Sequence, residues 1–136
     1  MGLFSLTKKS EYALVMLAEL VDRGKGRRLN LSEMAEMGLP RAFMAQVAKE
    51  LVEEGVLSSK EGRDGGYSLV YDAEEVNLKE VLEMVEGETG PVECVVKGGV
   101  CPMADGCGHQ GVMEELNEKI ERVLEEYTLA DLSRLR

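Results

Sequence analysis

Between residues 30 and 70 the chain sets helix signals, a glycine turn and two short β-prone runs in one fixed order, and few folds satisfy it. Asn30 followed by Glu33 has the spacing of a capping box and predicts a short helix through about Glu36. Gly38 supplies a turn. Pro40 suits the first turn of a third helix running to about Glu54, with Gly55 as its stop. Val56–Lys60 and Tyr67–Val70 then read as strands on either side of a glycine-rich tip, Glu61-Gly62-Arg63-Asp64-Gly65-Gly66. Two helices across a tight turn, followed by a hairpin, make a winged helix-turn-helix. The expected fold class is mainly α with a small β wing.

The third helix divides into two faces. Phe43, Met44, Val47, Leu51 and Val52 recur at helical spacing and predict the inward stripe. Arg41, Ala42, Ala45, Gln46 and Lys49 lie opposite, small or polar and free of acid. Small residues allow close approach to base edges, glutamine can bond adenine, and arginine and lysine can bond guanine or phosphate. Taken alone, such a face is also what an ordinary solvated helix presents. The wing that follows favours the DNA reading. It carries Lys60 and Arg63 where a groove or phosphate contact would fall, and Lys8 and Lys9 are further candidates for phosphate.

Outside this unit, Tyr12–Val21 is apolar at nearly every position except Glu19 and predicts a first helix buried on most sides, ended by Gly24-Lys25-Gly26. Leu78–Val85 reads as a short helix that Gly87 terminates. The last segment, Val112–Tyr127, carries Met113, Leu116, Ile120, Val123 and Tyr127 at alternating spacings of three and four. That seam predicts a long C-terminal dimerisation helix and a homodimer, although the stripe could equally pack on its own domain; Val112 and Leu124 widen it enough to do both. The expected organisation is a DNA-binding domain over residues 1–75 and a cysteine-loop and dimerisation region over 76–136.

Charge bears on this reading. The chain has a net charge of −10, at first sight a poor match to a polyanion. Residues 1–70, however, hold 10 Lys/Arg against 10 Asp/Glu, whereas residues 71–136 hold 6 against 16. The acidic half would repel DNA and help orient docking. Six aromatic residues, none of them tryptophan, cannot supply a stacking platform for single strands. No apolar run reaches membrane-spanning length and the N-terminus lacks the ordered regions of a signal peptide, so a cytoplasmic location is expected.

Between Gly87 and Gly111 the chain has seven glycines and all three of its cysteines, Cys94, Cys101 and Cys107, followed by its single histidine, His109. So long a structureless connection is uncommon unless it has a function. An odd number of thiols in a cytoplasmic chain argues for metal or reactive-thiol chemistry over disulfides. Three cysteines and a histidine can bind zinc, but the gaps lack a tight Cys-x2–4-Cys knuckle. A thiol switch would want a cationic neighbour, and Lys97 is offset by Glu93 and Asp105. A nucleophilic enzyme is disfavoured, with no second histidine and no orienting asparagine nearby. An accessory protein binding through the acidic half is a further class, which specific, salt-dependent duplex binding would exclude.

Glu11-Tyr12-Ala13-Leu14, Gly55-Val56-Leu57-Ser58-Ser59 running into Gly65-Gly66-Tyr67, Val85-Glu86-Gly87 and the cysteine triplet occur in an order that resembles the Rrf-two family of IscR/NsrR-like winged-helix regulators, over essentially the whole chain. The resemblance implies a dimeric transcription factor, often a repressor, acting on palindromic operators. It implies a 2Fe–2S or 4Fe–4S cluster held by Cys94, Cys101 and Cys107 that senses redox state, nitric oxide or iron–sulfur status. Some members instead lack a cluster and respond through thiol oxidation or a partner protein. Glu11 from the partner chain matches an acidic fourth ligand in NsrR-like relatives; His109 is the other candidate, and the helix dipole is a competing explanation for an acid at position 11. The chain departs from the family in a first cysteine gap of six residues, in Ala45 where glutamate is common, and in Gln110 where some members have a ligand histidine.

Overall fold

The computed structural model describes residues 6–87 and 110–134. Helices α1 (Lys8–Arg23), α2 (Leu31–Glu36) and α3 (Arg41–Glu53) are followed by strands β1 (Leu57–Lys60) and β2 (Gly66–Leu69). A 3-10 turn at Ala73–Glu75 leads to α4 (Leu78–Glu86); α5 (Gln110–Glu125) and α6 (Leu129–Arg134) complete the described residues. The fold class is the one the sequence predicts, mainly helical with one antiparallel hairpin.

Local signals set the helix ends. The capping box forms as expected: the Glu33 N–H donates to Asn30 Oδ1 at 2.8 Å and the Asn30 N–H to Glu33 Oε1 at 3.1 Å. Gly38 turns the chain between α2 and α3 with φ +90°, a conformation that L side chains rarely adopt. Pro40 caps α3. In the hairpin Leu57 pairs with Leu69 and Lys60 with Gly66.

The wing has one member the sequence reading missed. Leu29 exchanges both backbone hydrogen bonds with Tyr67, each 2.9 Å, so a residue from the α1–α2 loop extends the sheet. Gly66 permits this approach, since a Cβ there would lie 2.8 Å from the Leu29 carbonyl oxygen.

One aliphatic core joins these elements, α5 excepted. Met16, Leu17 and Leu20 of α1 meet Met44, Val47, Ala48 and Leu51 of α3, together with Leu29, Met34, Val81 and Leu129, all fully buried. Two expectations need correction. Helix α1 buries one face, Ser10, Ala13, Met16, Leu17 and Leu20, while Val15 is exposed. In α3 the inward stripe is Met44, Val47, Ala48 and Leu51. Phe43, one step ahead of it, lies at the rim, edge-on to Tyr12 with ring centroids 5.7 Å apart.

Helix α6 was not foreseen. The chain breaks after α5, where the Leu78 N–H donates to the Tyr127 carbonyl and the Leu129 N–H to that of Val76. Asp131 then accepts from the Thr128 N–H at 2.9 Å and starts α6, which packs along α1.

Candidate nucleic-acid interface

The α2–turn–α3 unit fixes α3 by its buried stripe, so its other side is presented outward. Arg41, Ala42, Gln46 and Lys49 are exposed there, and Ala45 is half-buried between them. Arg41 donates through Nη1 to Ser32 Oγ at 3.0 Å, which ties the start of α3 to the first turn of α2. Gln46 donates through Nε2 to Glu50 Oε1 at 3.2 Å. The amide is thereby oriented while its carbonyl oxygen stays free to accept.

Glu50 is also the partner of Lys9. The ammonium lies 2.8 Å from Oε2 and 3.1 Å from Oε1. Oε2 is buried and is met by that charge rather than by an aligned hydrogen bond. The bond from Lys9, assisted by Gln46, holds the Glu50 carboxyl below the usual carboxylate range although burial pushes it up. Lys9 is thus already engaged, whereas Lys8 is exposed and meets Glu11 at 3.2 Å.

Lys60 and Arg63 are exposed on the wing. A groove of about 540 Å³ runs between the wing and the helices, with Arg41 and Ser32 on one wall and Lys60 and Glu61 on the other. The structure thus places Arg41 and Lys60 along one groove, as a duplex-reading surface requires.

The expected cluster ligands Cys94, Cys101, Cys107 and His109 lie outside the described residues. What is described is the boundary of that stretch. Glu86, at the end of α4, accepts from Ser10 Oγ at 2.8 Å and from Thr7 Oγ1. Ser10 is fully buried, so this carboxylate is its polar partner, and α4 leads into the stretch beside the N-terminus of α1. Glu11 is about half-exposed in the first turn of α1. Among the described residues no group of three His, Cys, Asp or Glu side chains is placed to hold a metal ion.

Helix α5 packs on α4, where Lys79 meets Glu83, Glu121 and Glu125 at 3.4 to 3.9 Å. Of the expected seam, Met113 and Ile120 are half-buried, whereas Leu116, Val123 and Tyr127 are exposed, as is Val112. The apolar surface left uncovered is therefore Val112–Leu116–Val123–Tyr127. No helix among the described residues is long and apolar enough to cross a membrane.

Residues 6–134 match a family described as Rrf2, iron-dependent transcriptional regulator. The chain is 30% identical over 129 residues to the HTH-type transcriptional regulator NsrR of Shouchella clausii, covering 93% of this chain and 87% of that one. Its fold is similar to that of CymR, the global cysteine regulator of B. subtilis, with a TM-score of 0.80 at 22% identity and 98% of each chain covered. It is also similar to T. potens IscR, with a TM-score of 0.76 at 23% identity, covering 96% of this chain and 87% of that one.

Proposed function

This chain belongs to the Rrf2 family of transcriptional regulators, and from that premise we propose that it is a cytoplasmic repressor that binds palindromic operators as a homodimer and is controlled by an iron–sulfur cluster. Its relatives are transcriptional regulators, not enzymes. The observation that carries the proposal is the outward side of α3, where Arg41, Ala42, Gln46 and Lys49 stand exposed on a helix whose opposite side is fully buried. That helix enters the major groove with Ala42, Ala45 and Gln46 at the base edges, and Arg41 and Lys49 on bases or phosphate. Lys60, Arg63 and Lys8 address the backbone. Lys9 acts through Glu50 by neutralising a carboxylate that would otherwise face the duplex. Residues 1–75 read DNA and residues 76–136 sense and dimerise.

The donor set fits a cluster. Cys94, Cys101 and Cys107 supply three thiolates, and Glu11 of the partner subunit, which in its own chain meets the exposed Lys8, or His109 completes four ligands. When bound, the cluster supplies one-electron redox chemistry and a reactive target for oxidants or nitric oxide. The protein's part is to transmit its state. Glu86 joins the start of the cysteine stretch to Ser10 of α1, and Lys9 joins α1 to Glu50 of α3. Cluster binding at Cys94, Cys101 and Cys107 thereby biases the two recognition helices toward the roughly 34 Å separation that a two-fold site demands.

The test is protein purified without oxygen. A visible iron–sulfur spectrum that each of Cys94→Ala, Cys101→Ala and Cys107→Ala abolishes is expected. A colourless protein holding one zinc per chain after reconstitution with iron and sulfide would contradict the cluster reading and favour a cluster-free or zinc-bound regulator switched by thiol oxidation or a partner.

A further inference from the structure

We propose that the α1–α2 loop is a second phosphate-binding element. In it Arg27 and Arg28 join Arg63 of the wing tip in a cleft that takes the sugar–phosphate backbone of the duplex beside the α3 contact. This rests on the DNA-binding reading and adds residues that neither the sequence motifs nor the fold assigns.

The cleft, about 630 Å³, lies between that loop and the wing tip and is lined by four arginines against two carboxylates, Glu33 and Asp64. One arginine is spent. Arg23 meets Glu33 at 2.7 Å and Glu19 at 3.2 Å, so Arg23 and Glu33 cancel. Arg27, Arg28 and Arg63 are exposed and make no ion pair among the described residues. That leaves three cations against the one remaining carboxylate, Asp64, so the cleft keeps an excess of positive charge in a chain of net charge −10, and an anion is favoured there.

Their positions are built rather than incidental. Arg23 Nη1 donates to the Arg28 carbonyl at 2.8 Å, and the Arg27 N–H donates to the Gly24 carbonyl at 3.1 Å. The next residue, Leu29, is fully buried and bonded on both sides to Tyr67 of the wing. Loop and wing are thus one rigid piece, and the two arginines project from a fixed backbone. Presenting charge on fixed backbone lowers the ordering cost of each contact.

The occupant follows from continuity. Asn30 and Gly65 line both this cleft and the groove that holds Arg41 and Lys60. Cations thus recur from the start of α3, across the wing, to the α1–α2 loop, outnumbering the acids Glu61, Asp64 and Glu33 that line the same two grooves. A small anion would need one pocket. Two adjoining basic grooves suit successive phosphates of a polyanion.

The experiment is the salt dependence of binding to a random-sequence DNA duplex, read by fluorescence anisotropy for the full chain. Wild type is compared with Arg27→Ala/Arg28→Ala and with Arg27→Lys/Arg28→Lys, each checked for an unchanged melting temperature. Each lost phosphate contact lowers the slope of log K against log salt by about 0.9. The double alanine variant is expected to lose about 1.8 of slope, and the double lysine variant to keep it. Equal slopes for wild type and the alanine variant, or an alanine-like slope for the lysine variant, would overturn this site while leaving the α3 reading standing. A wild-type chain that binds no duplex would overturn both.

Discussion

Glu50 gathers Lys9 and Gln46, and Lys9 neutralises its carboxylate beside the proposed DNA-reading face. Lys9→Ala is expected to weaken duplex binding several-fold, on the order of 1 kcal/mol, and Lys9→Ala with Glu50→Gln to recover most of it. If Lys9 instead touched phosphate, the double variant would stay weak and lose about 0.9 of salt slope. Glu33 offers a test of the fold. The Asn30 N–H, and after it Arg23, holds its carboxyl below the ordinary value. A depressed carboxyl stabilises the folded state fully above its unfolded value, about 4.3, and that contribution fades as pH falls through the folded value. Glu33→Gln should therefore lower the melting temperature at neutral pH, with the gap to wild type closing below about pH 4; a gap that stays constant would contradict it. Asn30→Ala, which removes the cap itself, should cost about 1 kcal/mol.

At the scale of elements, α5 is the least covered helix: among residues 111–125 no side chain is fully buried. Its exposed row Val112–Leu116–Val123–Tyr127 is where the second copy is proposed to pack, whereas Ile120 is half-buried on its own chain. Leu116→Asp with Val123→Asp should give monomers by sedimentation with an unchanged helical signal, and a dimer that survives both would place the interface elsewhere. Leu129→Ala, in the core at 0% exposure, should cost about 2–5 kcal/mol and free α6 from α1. Much of this was legible in the sequence, because the capping box, Gly38, Pro40 and the wing glycines are local signals with one physical meaning each. Helix α6 was missed since no glycine or proline separates it from α5, although Thr128 and Asp131 have capping spacing. Leu29 could not be assigned to the sheet from one apolar residue between loops, because its pairing with Tyr67 is long-range. Phe43 fits the inward stripe by spacing alone, yet Ala48 is the residue fully buried there and Phe43 stays at the rim against Tyr12. Arg27 and Arg28 carried no motif to single them out, and what they face emerges only when the wing folds beside them.

Along the chain the charge is polarised, with the excess acid after residue 70, while Arg27, Arg28 and Arg63, without an ion pair among the described residues, lie at the α1–α2 loop and the wing. Helices α4 and α6 share one core with α3, since Val81, Val85 and Leu129 pack with Met44 and Leu51. A change at residues 88–109 therefore has a packed route to α3 through α4 and α1. If this route carries the signal, Ser10→Ala should leave the cluster spectrum intact and reduce the response of DNA binding to cluster loss; an undiminished response would exclude the Glu86–Ser10 contact from the route. On the proposed function, cluster state sets operator affinity. The direct measurement begins with an operator enriched from a random-sequence pool by the anaerobic protein. Cluster-bound and cluster-free forms are then titrated against that one duplex at fixed salt. The account predicts affinities differing by at least about tenfold, about 1.4 kcal/mol of coupling, and equal affinities would contradict it.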